Sequence, residues 1–124
     1  MGDLSKNISR FEIRCRCNIC GLDSIDIETI KVVQAACNNF GKIKGRRSIL
    51  DINSGFRCYH HNIAVGGNPD SQHLFGRAID HSIRGVSNEE LADYYRDMFF
   101  GKYGIGEYPT FVHLDTRTDG PARW

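Results

Sequence analysis

The sequence predicts an α+β domain, with a small central antiparallel sheet flanked by helices. Three observations lead there. The chain has 124 residues, the length of one domain. Two segments combine helical spacing with capping residues, and the short strand-like segments do not alternate regularly with helices, as a doubly wound sheet requires. No repeat, low-complexity tract or linker divides the chain, so residues 1–124 are expected to form a single domain, with a motif core over 51–124.

The first long helix is expected over Ile27–Phe40. Ile27, Ile30, Val33, Ala36, Cys37 and Phe40 recur at steps of three and four, Asp26 can cap the start, and Gly41 can end it. Ser48–Ile52 is a short β candidate, and Ser54-Gly55 after it is a turn that presents Arg57. Ser87-Asn-Glu-Glu90 has capping-box spacing and opens a second helix to about Phe100. Its inner face would carry Leu91, Tyr94, Tyr95 and Met98, with Gly101 and Gly104 closing it. Ile105–Tyr108 and Thr110–Asp115 look like two short strands around Pro109. Tyr94, Tyr95 and Tyr103 are given no role in a substrate groove, because aromatic residues at helical spacing usually belong to a core.

Composition excludes several classes of function. With 40% hydrophobic and 25% charged residues, the chain is an ordinary globular one, neither disordered nor fibrous. Sixteen Lys and Arg against 15 Asp and Glu leave a net charge of +1, so no nucleic-acid partner is expected. No apolar stretch approaches the roughly 20 residues that span a bilayer, so no membrane partner is expected either. The segment Met1–Asn7 carries an acid where a signal peptide is basic. The expectation is synthesis in the cytoplasm, with any work outside dependent on lysis or a dedicated route.

Five cysteines stand at positions 15, 17, 20, 37 and 58. Cys15, Cys17 and Cys20 form a tight cluster that could hold a structural metal with Cys58 as fourth ligand, form a disulfide in an exported protein, or remain reduced thiols. The functional version of the first alternative is a small zinc-ribbon-like interaction site.

The richest stretch runs from Ser71 to Asp80, followed some thirty residues later by Phe111-Val-His113-Leu-Asp115. Two imidazoles and a carboxylate, His73, His113 and Asp80, are a ligand set that leaves zinc an open fourth position. Strand alternation puts Ala78 with Asp80 on one face, and Phe111, His113 and Asp115 on one face, so Asp80 and His113 converge if their strands are neighbours. His73 would swing in from the preceding loop, where Gly76 lets the chain turn. The bland alternative is a hydrogen-bonded structural histidine and a capping or ion-paired Asp80. His81 points to the opposite strand face, and His60 and His61 lie beside Asn62 in a short helical turn; none of the three reads as a ligand. Ser71 reads as a residue that holds the loop, since no nucleophile elbow surrounds it.

Taken together, Ser54-Gly-Phe-Arg57, His61-Asn62, Val65-Gly66-Gly67, the Ser-x-His-x-x-Gly-x-Ala-x-Asp run over 71–80, Phe-Val-His-Leu-Asp over 111–115 and Arg123-Trp124 resemble the zinc D-alanyl-D-alanine carboxypeptidase family. That family belongs to a wider group of peptidoglycan-cutting metallopeptidases that includes the hedgehog fold. The likeness covers Asp51–Trp124 closely and the N-terminal half, with Phe11 before the cysteines, more loosely. The resemblance implies one catalytic zinc on His73, Asp80 and His113, and Arg57 steadying the substrate carbonyl as it becomes an oxyanion. It also implies a peptidoglycan peptide as substrate, and many members are phage-borne wall enzymes. A small monomer without a signal peptide, as expected here, fits a phage endolysin released by a holin, a virion-carried wall enzyme or a bacterial prophage remnant.

For the general base this sequence departs from the pattern. Relatives often place an acid three residues before the last ligand, where this chain has Thr110. Asp115 is then the first choice, to receive the water's proton or to orient the His113 imidazole. Glu107, six residues before the ligand as in the hedgehog branch, is the second. The missing acid also permits a competing function, a non-catalytic zinc-containing module that binds the cell wall or belongs to a virion.

Overall fold

Alternation along the strands decides which face of the sheet meets the helices and which is left for chemistry. The computed structural model describes residues 2–124. In chain order the elements are α1 (Arg10–Ile13), α2 (Ile27–Lys44), β1 (Leu50–Ser54), α3 (Tyr59–Ala64), a 3-10 turn (Gln72–Phe75), β2 (Ala78–Ile83), α4 (Asn88–Met98), β3 (Gly104–Glu107), β4 (Val112–Asp115) and β5 (Ala122–Arg123). They form an α+β fold with a five-stranded sheet in the order β1-β2-β4-β3-β5. The pairs β1/β2, β2/β4 and β4/β3 are antiparallel. The two-residue β5 runs parallel to β3 at the sheet's edge, so the sheet is mixed around the antiparallel centre that the sequence predicts.

On one face, Ile79, Ile83, Val112, Leu114 and Ile105 meet Ile30, Val33, Ala36, Cys37 and Phe40 of α2 and Leu91 and Tyr95 of α4 in one buried cluster. Each of these side chains leaves water by more than nine-tenths, the dominant favourable term in folding. His81 lies on this helix-facing side, fully buried, with its Nε2 2.8 Å from the Tyr95 hydroxyl.

The capping residues act where the sequence puts them. The Asp26 side chain accepts from the Glu28 amide, and Ser87 and Glu90 close a reciprocal capping box. The ends shift. Helix α2 continues through Gly41 for another turn and stops at Gly45, which takes the left-handed conformation that ends helices. Helix α4 stops at Met98, whose side chain is exposed rather than inward. Gly104 opens β3 instead of closing the helix, and β1 starts at Leu50 rather than Ser48. None of the described helices is long and apolar enough to cross a membrane.

Candidate metal centre

The register of three antiparallel pairs lays a transverse row across the other face of the sheet: Ser54 opposite Asp80, Asp80 opposite His113, and His113 opposite Gly106. Neighbouring strands thus bring Asp80 and His113 together, and the His113 Nδ1 lies 2.8 Å from Asp80 Oδ1. The third member comes from outside the sheet. The Ser71 hydroxyl accepts from the His73 amide and starts the 3-10 turn, and Gly76 ends it at φ +67. A Cβ at Gly76 would lie 2.7 Å from the Ser24 carbonyl oxygen, so both conformation and space require glycine there.

His73 is clasped to the loop after β1 at two points. Its Nδ1 bonds the Gly55 carbonyl at 2.6 Å, and its own carbonyl accepts from the Arg57 amide at 3.1 Å. A nitrogen bonded to a carbonyl carries the proton, so Nε2 is left as a bare acceptor. That Nε2 is buried without a hydrogen-bond partner and lies 3.1 Å from Asp80 Oδ2. A lone pair aimed at a carboxylate oxygen is repulsive unless a proton or a metal cation stands between them. The donor set therefore fits a metal. His73, Asp80 and His113 each offer one ligand atom, all within 4.8 Å of one another and all buried. Two ligands on a tetrahedral zinc, at about 2.0–2.1 Å each, lie about 3.3 Å apart. The 2.8 and 3.1 Å spacings need only a small opening to match.

The charges reinforce this arrangement. Burial is the largest single influence on Asp80 and works against its ionisation, but the His113 and His73 imidazoles together outweigh it and hold the carboxyl below the usual carboxylate range. Burial likewise opposes a charged His113, yet its bonds to Asp115 and Asp80 prevail and raise its pKa.

Asp115 stands on the far side of the His113 ring from Asp80. Its Oδ2 takes the His113 Nε2 at 2.7 Å and Arg117 Nη2 at 2.7 Å, and its Oδ1 takes Arg117 Nε at 2.8 Å. It is fully buried. This geometry turns the imidazole so that Nδ1 faces Asp80, as carboxylate partners of metal-bound histidines do. It does not put a free carboxylate oxygen into the cavity, so of the two roles expected for Asp115 only orientation suits its position. Glu107 is not brought to the centre. It follows Gly106, so it points to the helix-facing side, where its Oε1 pairs with Arg96 of α4 at 3.0 Å. Thr110 is exposed in the bend between β3 and β4.

Arg57 does reach the site. Its Nη2 lies 3.4 Å from Asp80 Oδ2, its Nε donates to Ser54 at 3.1 Å, and its Nη1 donates to Asn62 at 3.3 Å. These contacts place the guanidinium on the wall of a cavity of about 710 Å³. The cavity is lined by Arg57, His73, Asp80 and His113, by the loop from Val65 to Gln72, and by Tyr108, Phe111 and Trp124. Among the described residues Asp70 and Asp80 are the carboxylates on its wall.

Sequence reasoning gave several of these parts no role, although Asn62 and Trp124 stand in the motifs it named. Asn62, which holds Arg57, lies on α3 with its own amide bonded to the Asn68 carbonyl. Arg117 is signalled only by its spacing of two from Asp115. Trp124 packs over Gly106 with its indole 5.0 Å from the His113 ring and donates to the Tyr108 hydroxyl at 2.6 Å. The cysteine cluster gathers too, with Cys15, Cys17, Cys20 and Cys58 mutually within 4.8 Å.

Residues 6–115 match the family model described as Peptidase M15. No curated protein sequence matches the chain.

Proposed function

The chain belongs to the Peptidase M15 family of metallopeptidases, and from that premise we propose that it hydrolyses peptide bonds in the peptidoglycan stem or cross-link, with one zinc held by His73, Asp80 and His113. The observation that carries the proposal is the bare, buried His73 Nε2 aimed at Asp80 beside His113, at the floor of a cavity large enough for a short peptide. Zinc bound there supplies Lewis acidity, toward the scissile carbonyl and toward water.

The chain's own groups do the rest. Arg57 is always charged and is held by Ser54 and Asn62, so its donors stand ready where the carbonyl oxygen gains negative charge. Asp115 keeps His113 turned toward Asp80. Asp70 is exposed on the cavity loop, and we assign it the water's proton, since Asp115 is committed to Arg117 and Glu107 faces α4. Tyr108, Phe111 and Trp124 offer an apolar rim along which an extended peptide can lie.

The test is a mass-spectrometric digest of purified peptidoglycan with the protein plus zinc and with the protein plus chelator. Zinc-dependent release of alanine identifies a carboxypeptidase, and new internal ends in the stem or cross-bridge identify an endopeptidase. Bound zinc with no product on any wall type would replace this function with that of a wall-binding module. The absence of an acid at Thr110 is the feature that favours that second reading.

A further inference from the structure

The four cysteines gathered away from the sheet behave unlike Cys37, which is a core residue of α2 packed in the apolar cluster. Cys17, Cys20 and Cys58 are only partly buried, so they are not there to fill a core. They converge with Cys15 from two segments far apart in sequence, residues 15–20 and the residue after Arg57. The sulfur separations are 3.4 Å for Cys17 to Cys20 and 3.9 Å for Cys17 to Cys58. Four sulfurs at about 2.3 Å from a tetrahedral zinc lie about 3.8 Å apart, within that range. A disulfide needs about 2.05 Å.

A second observation points the same way. Every one of the four sulfurs accepts a backbone N–H. Cys17 takes the amides of Ile19 at 3.4 Å and Cys20 at 3.3 Å, and Cys20 takes that of Leu22 at 3.4 Å. Cys15 takes the amide of Cys58 at 3.3 Å, and Cys58 takes that of His61 at 3.4 Å. Amide donors turned toward all four sulfurs hold each one at a fixed place, and it is through sulfur that cysteine binds metal. The chain bends into the left-handed region at Asn18 (φ +63) and Gly21 (φ +63) to deliver them.

We infer that Cys15, Cys17, Cys20 and Cys58 form a second metal site, a closed four-thiolate centre for a structural zinc ion, separate from the His73, Asp80 and His113 centre. With all four positions filled by protein, this ion has no open place for substrate and serves as a staple. It ties the segment from Cys15 to Leu22 to the exit of β1, where the Phe56 amide already bonds the Ile13 carbonyl at 2.8 Å. Cys58 follows Arg57 directly and caps α3, the helix that carries Asn62, so the staple fixes both the backbone of Arg57 and the side chain that steadies it.

The experiment uses the full chain prepared under reducing, oxygen-free conditions. Zinc per chain is measured by native mass spectrometry for the wild type, for His73→Ala with His113→Ala, and for Cys17→Ser with Cys20→Ser. The expected result is two ions in the wild type and one in each double variant. Replacement by Co²⁺ should give an intense sulfur-to-cobalt charge-transfer band in the wild type and in the histidine variant, and none in the cysteine variant. Thiol titration on the wild type alone should show four thiols protected until a chelator is added, which decides the matter even if the cysteine variant fails to fold. One zinc that disappears with the histidines, no sulfur-to-cobalt band, and thiols equally reactive with and without chelator would overturn the inference. So would a mass deficit of two hydrogens per disulfide with no second metal. Failure of the histidine centre to cleave peptidoglycan leaves the charge-transfer band untouched, so the two proposals fail separately.

Discussion

Asp115→Asn separates a residue that orients a ligand from one that takes a proton. The side chain keeps its shape but exchanges one acceptor oxygen for a donor. If the amide nitrogen takes the place of Oδ2, it meets two donors, His113 Nε2 and Arg117 Nη2; if it takes the place of Oδ1, it meets Arg117 Nε and the Arg117 amide. The second arrangement keeps the bond to His113 but reduces it from a charge-assisted one, worth about 1.5–3 kcal/mol, to a neutral one of about 1 kcal/mol. A loss of about 1–2 kcal/mol at the ligand's far nitrogen corresponds to zinc binding weakened by roughly tenfold or somewhat more. That sits within the roughly 10–100-fold cost of removing such partners. The assay is competition for zinc against a chromophoric chelator, paired with kcat at saturating zinc across pH. Orientation predicts a weaker zinc site, kcat within about tenfold of wild type, and an acid limb of the pH profile that survives. An unchanged zinc affinity with kcat lower by about 10²–10⁴ and the acid limb gone would refute the reasoning and make Asp115 the base.

Three further perturbations probe the remaining assignments. Arg57→Lys keeps a charge but loses the planar fork, so kcat should fall by about 10²–10³ while zinc affinity stays within a few-fold, measured by steady-state kinetics and chelator competition. Glu107→Gln breaks only the pair with Arg96, both partners about one-third exposed, so denaturant unfolding should change by about 0–1 kcal/mol and zinc-dependent cleavage should not change. Burial pushes His81 down to about 4 from an ordinary 6.5, so as pH falls the unfolded chain takes up the proton first. Stability contributed by the neutral ring should be complete above about pH 6.5 and lost progressively toward pH 4, by about 3 kcal/mol in all, and the difference in unfolding free energy between wild type and His81→Gln should follow that slope.

Local chemistry was legible in the sequence, and long-range pairing was not. The Ser87 box, the Asp26 cap and the apolar stripe of α2 depend on neighbours within a few positions, and all three stand in the structure except that Ile27, the first residue of the stripe, is exposed at the helix start. The length of α2 was misjudged because a glycine inside a helix costs only about 1 kcal/mol, which the burial of Phe40 and Cys37 readily offsets. The convergence of Asp80 with His113 was conditional on their strands being neighbours, and no spacing within either strand could decide that. Pairing of β2 with β4 across α4 and β3 decides it. Arg117 and Asn62 received no role of their own because each acts on another functional side chain, and a residue of that kind has no signature until its target has been placed.

The segment Gly104-Ile-Gly106-Glu107 explains why a base chosen by sequence distance fails here. On the site face, β3 presents only glycines, and the space above them is taken: the Asp115 carboxylate covers Gly104, and the Trp124 indole covers Gly106. A side chain at either position would displace the group that orients His113 or the ring that packs at a tilt beside it. The same alternation that keeps this face bare sends Ile105 into the core and Glu107 toward α4. No carboxylate on β3 therefore reaches the centre while Trp124 and Asp115 hold their places, which is why the proton acceptor is proposed to lie on the loop over the cavity. A glycine at every second position, directly before a strand that carries a histidine ligand, marks a covered face and makes the intervening residues poor candidates for catalysis.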